Sequence, residues 1–198
     1  MREAIGELEQ QGLIVSQPNR VKTVVSPTDD DLRHAYQVRT CLELLALHLL
    51  WDRITDDLLT QMRRLVTMMQ EAAADPRLSP LARHGRLNVL DSRFHGLLVQ
   101  ATGNHVLLRA WNTASPWVLG FIRDLQQERS HTEGRVWPRP DPHEALLAAL
   151  EQQDLASAER ALLAHISTSW RHPADRDVAG EQAVERVSSL VQDIASST

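Results

Sequence analysis

The chain has 198 residues, of which 42% are hydrophobic, and it carries a formal net charge of −5. That length fits one medium domain or a domain with a small appendage, and the apolar content excludes disorder over most of the chain. The acidic balance excludes a basic nucleic-acid-binding surface over the whole protein, so any DNA contact has to be local. The single cysteine, Cys41, excludes an internal disulfide framework.

No stretch of the sequence resembles a signal peptide or a membrane span. The longest apolar run, around residues 42–51, is too short to cross a bilayer and contains Glu43 and His48. A reducing compartment also fits the lack of possible disulfides. We therefore expect a soluble cytoplasmic protein.

The first 26 residues predict a short helix followed by a β-hairpin. Apolar side chains recur at helical spacing in residues 1–12, and Gly12 is suited to end that helix. Two short runs rich in β-branched residues follow, at 13–16 and 21–26, on either side of Pro18. A helix and then a hairpin is the order in which a winged helix-turn-helix ends, with its recognition helix and its wing.

The rest of the chain predicts helices. Leu, Ala, Gln, Glu and Arg dominate, and Thr28, Thr55 and Ser79 are good N-caps. Pro116 predicts a kink or break in the helix that contains it. We expect an all-α, antiparallel helical bundle of six to seven helices. Their predicted bounds are about 29–52, 56–74, 80–102, 105–127, 142–152, 155–171 and 177–195, with a loop over 128–140.

Asp91 and His95 are four residues apart in the predicted helix 80–102. Their side chains therefore lie on one helix face, and a carboxylate with an imidazole makes half of a divalent-metal site. His143 follows Asp141-Pro142 in the first turn of its helix, where the helix dipole favours the neutral imidazole that a metal needs. His165 lies near the end of the next helix, so a short helical hairpin brings it to His143.

One aspartate and three histidines form a donor set suited to Zn, Ni, Mn or Co. The alternative is that each histidine is separately a core or surface residue, and spacing alone does not decide between these readings. His84, seven residues before Asp91 on roughly the same face, is a weaker fifth candidate. His34, His48, His105, His131 and His172 are assigned no ligand role.

Six short stretches follow one another in the order of a known family. They are Arg2-Glu3-Ala4-Ile5 with Leu8 to Ile14, Arg39 with Leu42-Glu43, Asp91-x-x-Phe94-His95-x-x-Leu98, Ala101-Thr102-Gly103-Asn104, His143 to Leu150, and Ala164-His165-Ile166. Together they cover about residues 1–171. This pattern resembles the GntR family of bacterial transcription regulators, in its FadR-like subfamily with an FCD-type ligand-binding domain.

The resemblance implies a metabolite-responsive DNA-binding regulator that is not an enzyme and that forms a homodimer. In many relatives the positions of Asp91, His95, His143 and His165 bind a divalent metal, which helps to hold a small carboxylate effector. It also implies a partial winged helix-turn-helix over 1–26 and a helical effector-binding domain over 28–171. Beyond the resemblance, the amphipathic pattern predicts a C-terminal extension helix within 172–198, whose role stays open.

Arg39 and Glu43 lie four apart on the first long helix and allow two interpretations. They form an ion pair on the helix surface, or Arg39 lies in the pocket and binds an effector carboxylate with its planar guanidinium. Asn88 and Arg123 are further effector-binding candidates. The tryptophans Trp111, Trp117, Trp137 and Trp170 are interpreted as core or interface residues.

Arg2 and Arg20 are the candidate DNA contacts. The family commonly reads Pro-Val-Arg-Glu-Ala where this chain begins Met1-Arg2-Glu3-Ala4. Two helices that normally precede the recognition helix are absent, so we expect a truncated or misplaced start and weak DNA binding by the chain as written. The wing turn, Asn19-Arg20-Val21, also departs from the Gly-Arg-Gly that is common in the family.

Two other functions stay open from the sequence. A metal-dependent hydrolase would need a general base beside the ligand set, and Glu144 projects about 100° away from His143 on its helix. A stand-alone ligand-binding dimer that has lost DNA binding would keep the ligand set without an operator.

Overall fold

A computed structural model describes residues 5, 6, 9, 14–16, 22–25, 27–114, 141–170, 186 and 189. Side chains are described throughout except at 15, 29, 141 and 167–170. Several predictions fall outside these residues and stay predictions. They concern the loop 128–140, the helix beyond residue 114 with Pro116, most of the helix 177–195, the side chains of Arg2, Arg20, Arg123, Trp117, Trp137 and Trp170, and the remaining histidines His131 and His172.

A small antiparallel hairpin lies near the N-terminus. Its strands are β1 (Ile14–Ser16) and β2 (Lys22–Val24), with Ile14 opposite Val24 and Ser16 opposite Lys22. Residues 5, 6 and 9 are helical. Glu9 joins the two, because its carboxylate accepts a hydrogen bond from Ser16 Oγ at 2.5 Å and forms an ion pair with Lys22. The predicted order of helix and then hairpin is confirmed for the described residues.

In the part of the chain that the structure describes, six α-helices follow the hairpin, and the predicted all-α bundle is confirmed. They are α1 (Asp29–Leu50), α2 (Asp56–Ala74), α3 (Pro80–Ala101), α4 (His105–Ala114), α5 (Asp141–Glu151) and α6 (Leu155–Trp170). The first helix ends two residues earlier than predicted, since a turn of 3-10 helix, Trp51–Arg53, follows it. Among the helices that the structure describes, none combines the length and apolar character that a bilayer crossing requires.

Three helices begin at the caps that the sequence predicts. Thr28 and Asp31 form a capping box, in which each side chain accepts a hydrogen bond from the other residue's backbone N–H. Thr55 accepts from the backbone of Leu58, and Ser79 accepts from that of Ala82. These bonds satisfy backbone donors that a helix start leaves without an intrahelical partner.

The turn between α5 and α6 is tight. Gln153 adopts a left-handed backbone conformation with φ of 53°, which is uncommon for a residue with a side chain. The Asp154 backbone N–H then bonds to the Ala149 carbonyl at 3.1 Å. Asp154 Oδ1 accepts from the Ser157 backbone at 3.0 Å and so caps α6. The two helices therefore form the predicted hairpin.

The core contains both apolar and charged side chains. Apolar residues from all six helices form one cluster, with Leu44, Met62, Phe94 and Leu162 among its fully buried members. Within the same interior lie buried polar and charged candidate residues, among them Arg39, Glu43, Asp91, His95, His143 and His165. Because buried charges need partners, this group defines the site.

Candidate metal centre

Four side chains from three helices meet in the interior. Asp91 and His95 come from α3, His143 from the first turn of α5, and His165 from α6. All four are buried, and one potential ligand atom from each lies within 4.8 Å of the others. The structure thus brings together the four residues that the sequence predicts as metal ligands.

Asp91 Oδ1 lies at the centre of this group. Its distances to the Nε2 atoms of the histidines are 3.0 Å for His143, 3.4 Å for His165 and 3.8 Å for His95. Atoms that bind one ion at about 2.0–2.2 Å each are separated by distances of this order. The group therefore has the size of a first coordination shell.

The hydrogen bonding of His95 tests whether a metal would fit. Its Nδ1 lies 2.7 Å from Glu43 Oε2. Because a carboxylate can only accept, Nδ1 carries the hydrogen and Nε2 carries the lone pair. Nε2 is fully buried and has no hydrogen-bond partner among the described residues. A buried lone pair directed towards Asp91, without a donor, fits a cation at this position.

The carboxylates of the site are ionised. Burial alone would raise the pKa of Asp91, but the Arg39 charge and the neighbouring His95 ring, followed by hydrogen bonds from His143 and His165, hold it well below its usual range. Burial opposes ionisation of Glu43 in the same way, and the Arg39 charge and the His95 ring nevertheless lower its pKa to about 2. Arg39 stays charged, since Glu43 and Asp91 outweigh the effect of its burial on the pKa.

Two of the histidines are held in the neutral form. Burial lowers the pKa of His165 to about 3, although its contact with Asp91 acts in the opposite direction. Burial likewise lowers the pKa of His95, against the attraction of Glu43. A neutral imidazole is the form that binds a metal, so neither ring has to lose a proton before it can act as a ligand.

Ring packing fixes the orientation of the histidines. The His95 and His165 rings are stacked, with centroids 4.8 Å apart and an interplanar angle of 6°. Phe94 meets the His143 ring edge-on at 4.9 Å. Because Phe94 is itself fully buried, these rings cannot turn without a change in the core.

Arg39 and Glu43 are an interior pair, and the interpretation as a helix-surface pair is wrong. Arg39 is 1% exposed and Glu43 is 0% exposed. Arg39 Nε donates to Glu43 Oε1 at 2.6 Å, and Nη2 lies 3.5 Å from Asp91 Oδ2. Arg39 is therefore next to the four-residue cluster, while its contact with an effector stays a prediction.

The other candidates lie outside the cluster. His84 is buried on α3 but is not among the four grouped residues. Asn88 is half-buried on the same helix. Glu144 is exposed and accepts a hydrogen bond from Gln70 Nε2 at 2.5 Å. It therefore points away from His143, as the helical spacing predicts.

A groove of about 560 Å³ lies along the opposite face of α3 from Asp91 and His95. Arg64, Arg93 and Leu97 are among its lining residues, and Trp111 forms part of its wall. None of the four clustered residues lines it. The groove is thus separate from the candidate metal centre.

Two contacts are not predicted by the sequence. Helical spacing pairs Glu43 only with Arg39, yet Glu43 also accepts from His95. Trp111 is predicted as a core or interface residue, and it is 3% exposed, but its indole Nε1 also donates to Glu43 Oε1 at 2.8 Å. The available signal was a glutamate in an otherwise apolar helix stripe, because a buried carboxylate needs several donors.

Comparison with known proteins identifies the fold and the family. A family model for the FCD domain matches residues 34–168. An uncharacterised HTH-type transcriptional regulator of Bacillus subtilis, YdhC, is 23% identical over 172 residues, which are 87% of this chain and 73% of that protein.

Two solved structures share the fold. Escherichia coli McbR/YncC matches with a TM-score of 0.69 and 18% identity, over 85% of this chain and 80% of that one. A GntR-family transcriptional regulator from Pseudomonas syringae matches with a TM-score of 0.55 and 22% identity, over 99% and 71%. Since the FCD match spans more than half of the sequence, the chain belongs to the FCD domain family.

Proposed function

We propose that the protein is a GntR-type transcription regulator and that it binds a divalent metal ion through Asp91, His95, His143 and His165. The observation that carries the proposal is the buried group of four potential ligand atoms within 4.8 Å. A bound ion would supply positive charge that can attract and orient an anion. The protein residues hold the ligands in place, exclude water and keep two of the histidines neutral.

The charges of the interior support an anionic effector. The buried charged residues in the described part of the chain are Arg39, Glu43 and Asp91. Two carboxylates and one guanidinium leave one negative charge, which a divalent ion converts to one positive charge. Because an unbalanced buried charge is costly, a small organic acid with a carboxylate would complete the balance.

The effector would lie beside the ion and near Arg39. Arg39 is already within 3.5 Å of Asp91, and an arginine can bind a carboxylate through two parallel hydrogen bonds. Asn88, one helical turn before Asp91, and Arg123 are proposed as further effector contacts. The donor set is compatible with Zn, Ni or Mn.

The output would be a change in operator affinity. The first 26 residues would contribute a recognition helix and a wing, with Arg2 and Arg20 as DNA contacts, in a cytoplasmic homodimer. Metal and effector would shift DNA binding only through different affinities for two arrangements of the dimer. The contacts of Glu9 with Ser16 and Lys22, which join the helical residues to the hairpin, support this part of the proposal.

Metal and effector binding can be tested in one titration series. The protein is first stripped with a chelator, and Co²⁺ or Zn²⁺ is then titrated in a calorimeter. A panel of small mono- and dicarboxylates is titrated into the stripped and the metal-loaded protein. We expect one ion per chain and at least one acid that binds only the loaded form. No ion bound at micromolar concentration would contradict the proposal.

DNA binding needs a separate experiment. A chain extended upstream by the in-frame genomic sequence is assayed by gel shift on the DNA flanking its own gene, with and without metal and acid. We expect a retarded complex whose amount changes with the acid. Effector binding without any retarded DNA would instead indicate a ligand-binding dimer that has lost its operator.

A further inference from the structure

Glu43 is the acceptor for three donors. Arg39 Nε and Trp111 Nε1 donate to its Oε1 at 2.6 Å and 2.8 Å, and His95 Nδ1 lies 2.7 Å from its Oε2. Arg39 belongs to α1 itself, while His95 and Trp111 belong to α3 and α4. Glu43 is fully buried, so one carboxylate joins three helices in the interior.

The contact with His95 sets how that ring can act as a ligand. A carboxylate that accepts from Nδ1–H fixes the tautomer, holds the ring plane and makes Nε2 a stronger electron-pair donor. Nε2 of His95 is the atom that faces Asp91. Its use by a metal therefore depends on where Glu43 is held.

Trp111 and Arg39 hold Glu43 in that position. The Trp111 ring packs against Gly96, the residue after His95, so closely that a Cβ atom there would lie 3.3 Å from Cη2. The indole is thus fixed by α3 on one side and directed at Glu43 on the other. Arg39 balances the charge of Glu43 and reaches Asp91 as well. Glu43 cannot move towards or away from His95 without losing one of these contacts.

We propose that Glu43 is a positioning residue for His95, and that Trp111 is the residue that orients Glu43. Metal affinity would then depend on two side chains that do not touch the ion. This inference rests on the proposed metal-binding function. It extends that function to α4, a helix that supplies none of the four ligands.

Two substitutions test the proposal. Glu43→Gln keeps the shape of the side chain but replaces one acceptor oxygen by a donor, so it cannot accept from all three neighbours. Trp111→Phe keeps an aromatic side chain but removes the indole N–H together with part of the bicyclic ring that packs against Gly96. Glu159→Gln is the matched control, since Glu159 accepts from another histidine, His48, away from the cluster.

The measurements separate positioning from folding. Co²⁺ affinity is measured by chelator competition, and the visible absorption of bound Co²⁺ reports the ligand field. In Glu43→Gln we expect the dissociation constant to rise about 10- to 100-fold, as is typical for loss of an outer-shell partner. Trp111→Phe should raise it by about 3- to 10-fold, the effect of one hydrogen bond. Both should shift the Co²⁺ bands, and Glu159→Gln should do neither.

A second readout does not need metal. In stripped wild-type protein, ¹⁵N chemical shifts should show His95 as the Nδ1–H tautomer, and Glu43→Gln should change this. Circular dichroism checks that each variant is folded, and Trp111→Phe carries the test if Glu43→Gln unfolds. If the wild type binds Co²⁺ and both variants bind it with the same affinity and spectrum, the positioning role is overturned and the proposed metal binding is not. No Co²⁺ binding by the wild type would overturn the proposed function as well.

Discussion

Helix α1 takes part in two pairs of a histidine and a carboxylate, and they differ in their surroundings. Glu43 of α1 lies 2.7 Å from His95 of α3, and His48 of α1 lies 2.5 Å from Glu159 of α6. In the first pair both side chains are 0% exposed, and in the second they are 6% and 13% exposed. By distance alone the two pairs would be interpreted alike.

The difference lies on the far side of each imidazole. Nε2 of His95 faces Asp91, and His143 and His165 complete a group of four. No second group of metal-binding size forms around His48 in the described ranges. A histidine–carboxylate contact therefore does not identify a metal site, and the convergence of several donors on the other ring nitrogen does.

The largest difference in metal affinity should appear between two variants in which the histidine of each pair, His95 or His48, is replaced by asparagine. His95→Asn removes a ligand, so we expect metal affinity to fall by more than about 100-fold, beyond the usual loss for an outer-shell residue. His48→Asn should leave the affinity unchanged. Chelator competition with Zn²⁺ measures both, and equal losses in the two variants would remove the distinction between the pairs.

A smaller effect should appear in the acid stability of metal-free protein. The pKa of His165 is about 3 in the folded chain and 6.5 without its surroundings. Between these values the unfolded chain binds a proton that the folded chain does not, so the free energy of unfolding falls as pH falls. One such group lowers the free energy of unfolding by up to about 1.4 kcal/mol for each unit by which the pH falls. The lowered pKa of His95 acts in the same direction.

Urea denaturation between pH 7 and pH 5 measures this slope. Asp91 and Glu43 do not contribute much there, because their ordinary pKa values of 3.8 and 4.5 lie lower. His165→Gln should reduce the slope. His48→Gln is the control and should leave the pH dependence of the free energy of unfolding unchanged. An unchanged pH dependence in His165→Gln would contradict its assignment to His165.

The smallest effect should come from Glu159→Gln. This substitution weakens the pair with His48, whose side chains keep some contact with solvent, so we expect a loss of about 1 kcal/mol or less. Thermal denaturation of the metal-free variant measures it. A loss greater than that caused by Glu43→Gln would reverse the proposed ranking of the two pairs.

Local features made most of the fold predictable. Thr28, Thr55 and Ser79 lie where three helices begin, because their side chains satisfy backbone donors that have no other partner. The grouping of His143 with His165 was also predictable, since it needs only two adjacent helices and a short turn. Joining this pair to Asp91 and His95 needed the family resemblance, because spacing alone left the metal reading undecided.

The role of Glu43 depended on packing and was not predictable in the same way. Helical spacing identifies Arg39, four residues away, as its neighbour. It does not identify His95 or Trp111, which are 52 and 68 residues away in sequence. Helical spacing also could not tell whether Arg39 and Glu43 form a surface pair or an interior pair. Their burial in the folded chain decides for the interior.

The tight turn at Gln153 has a consequence for local unfolding. His143 and His165 reside in one hairpin, while Asp91 and His95 reside in α3. Two helices joined in one hairpin can open as a unit without global unfolding. An ion held by all four residues would fasten α5 and α6 to α3, and such opening would then require release of the ion. Amide exchange throughout the hairpin would slow on metal binding, including at positions far from any ligand.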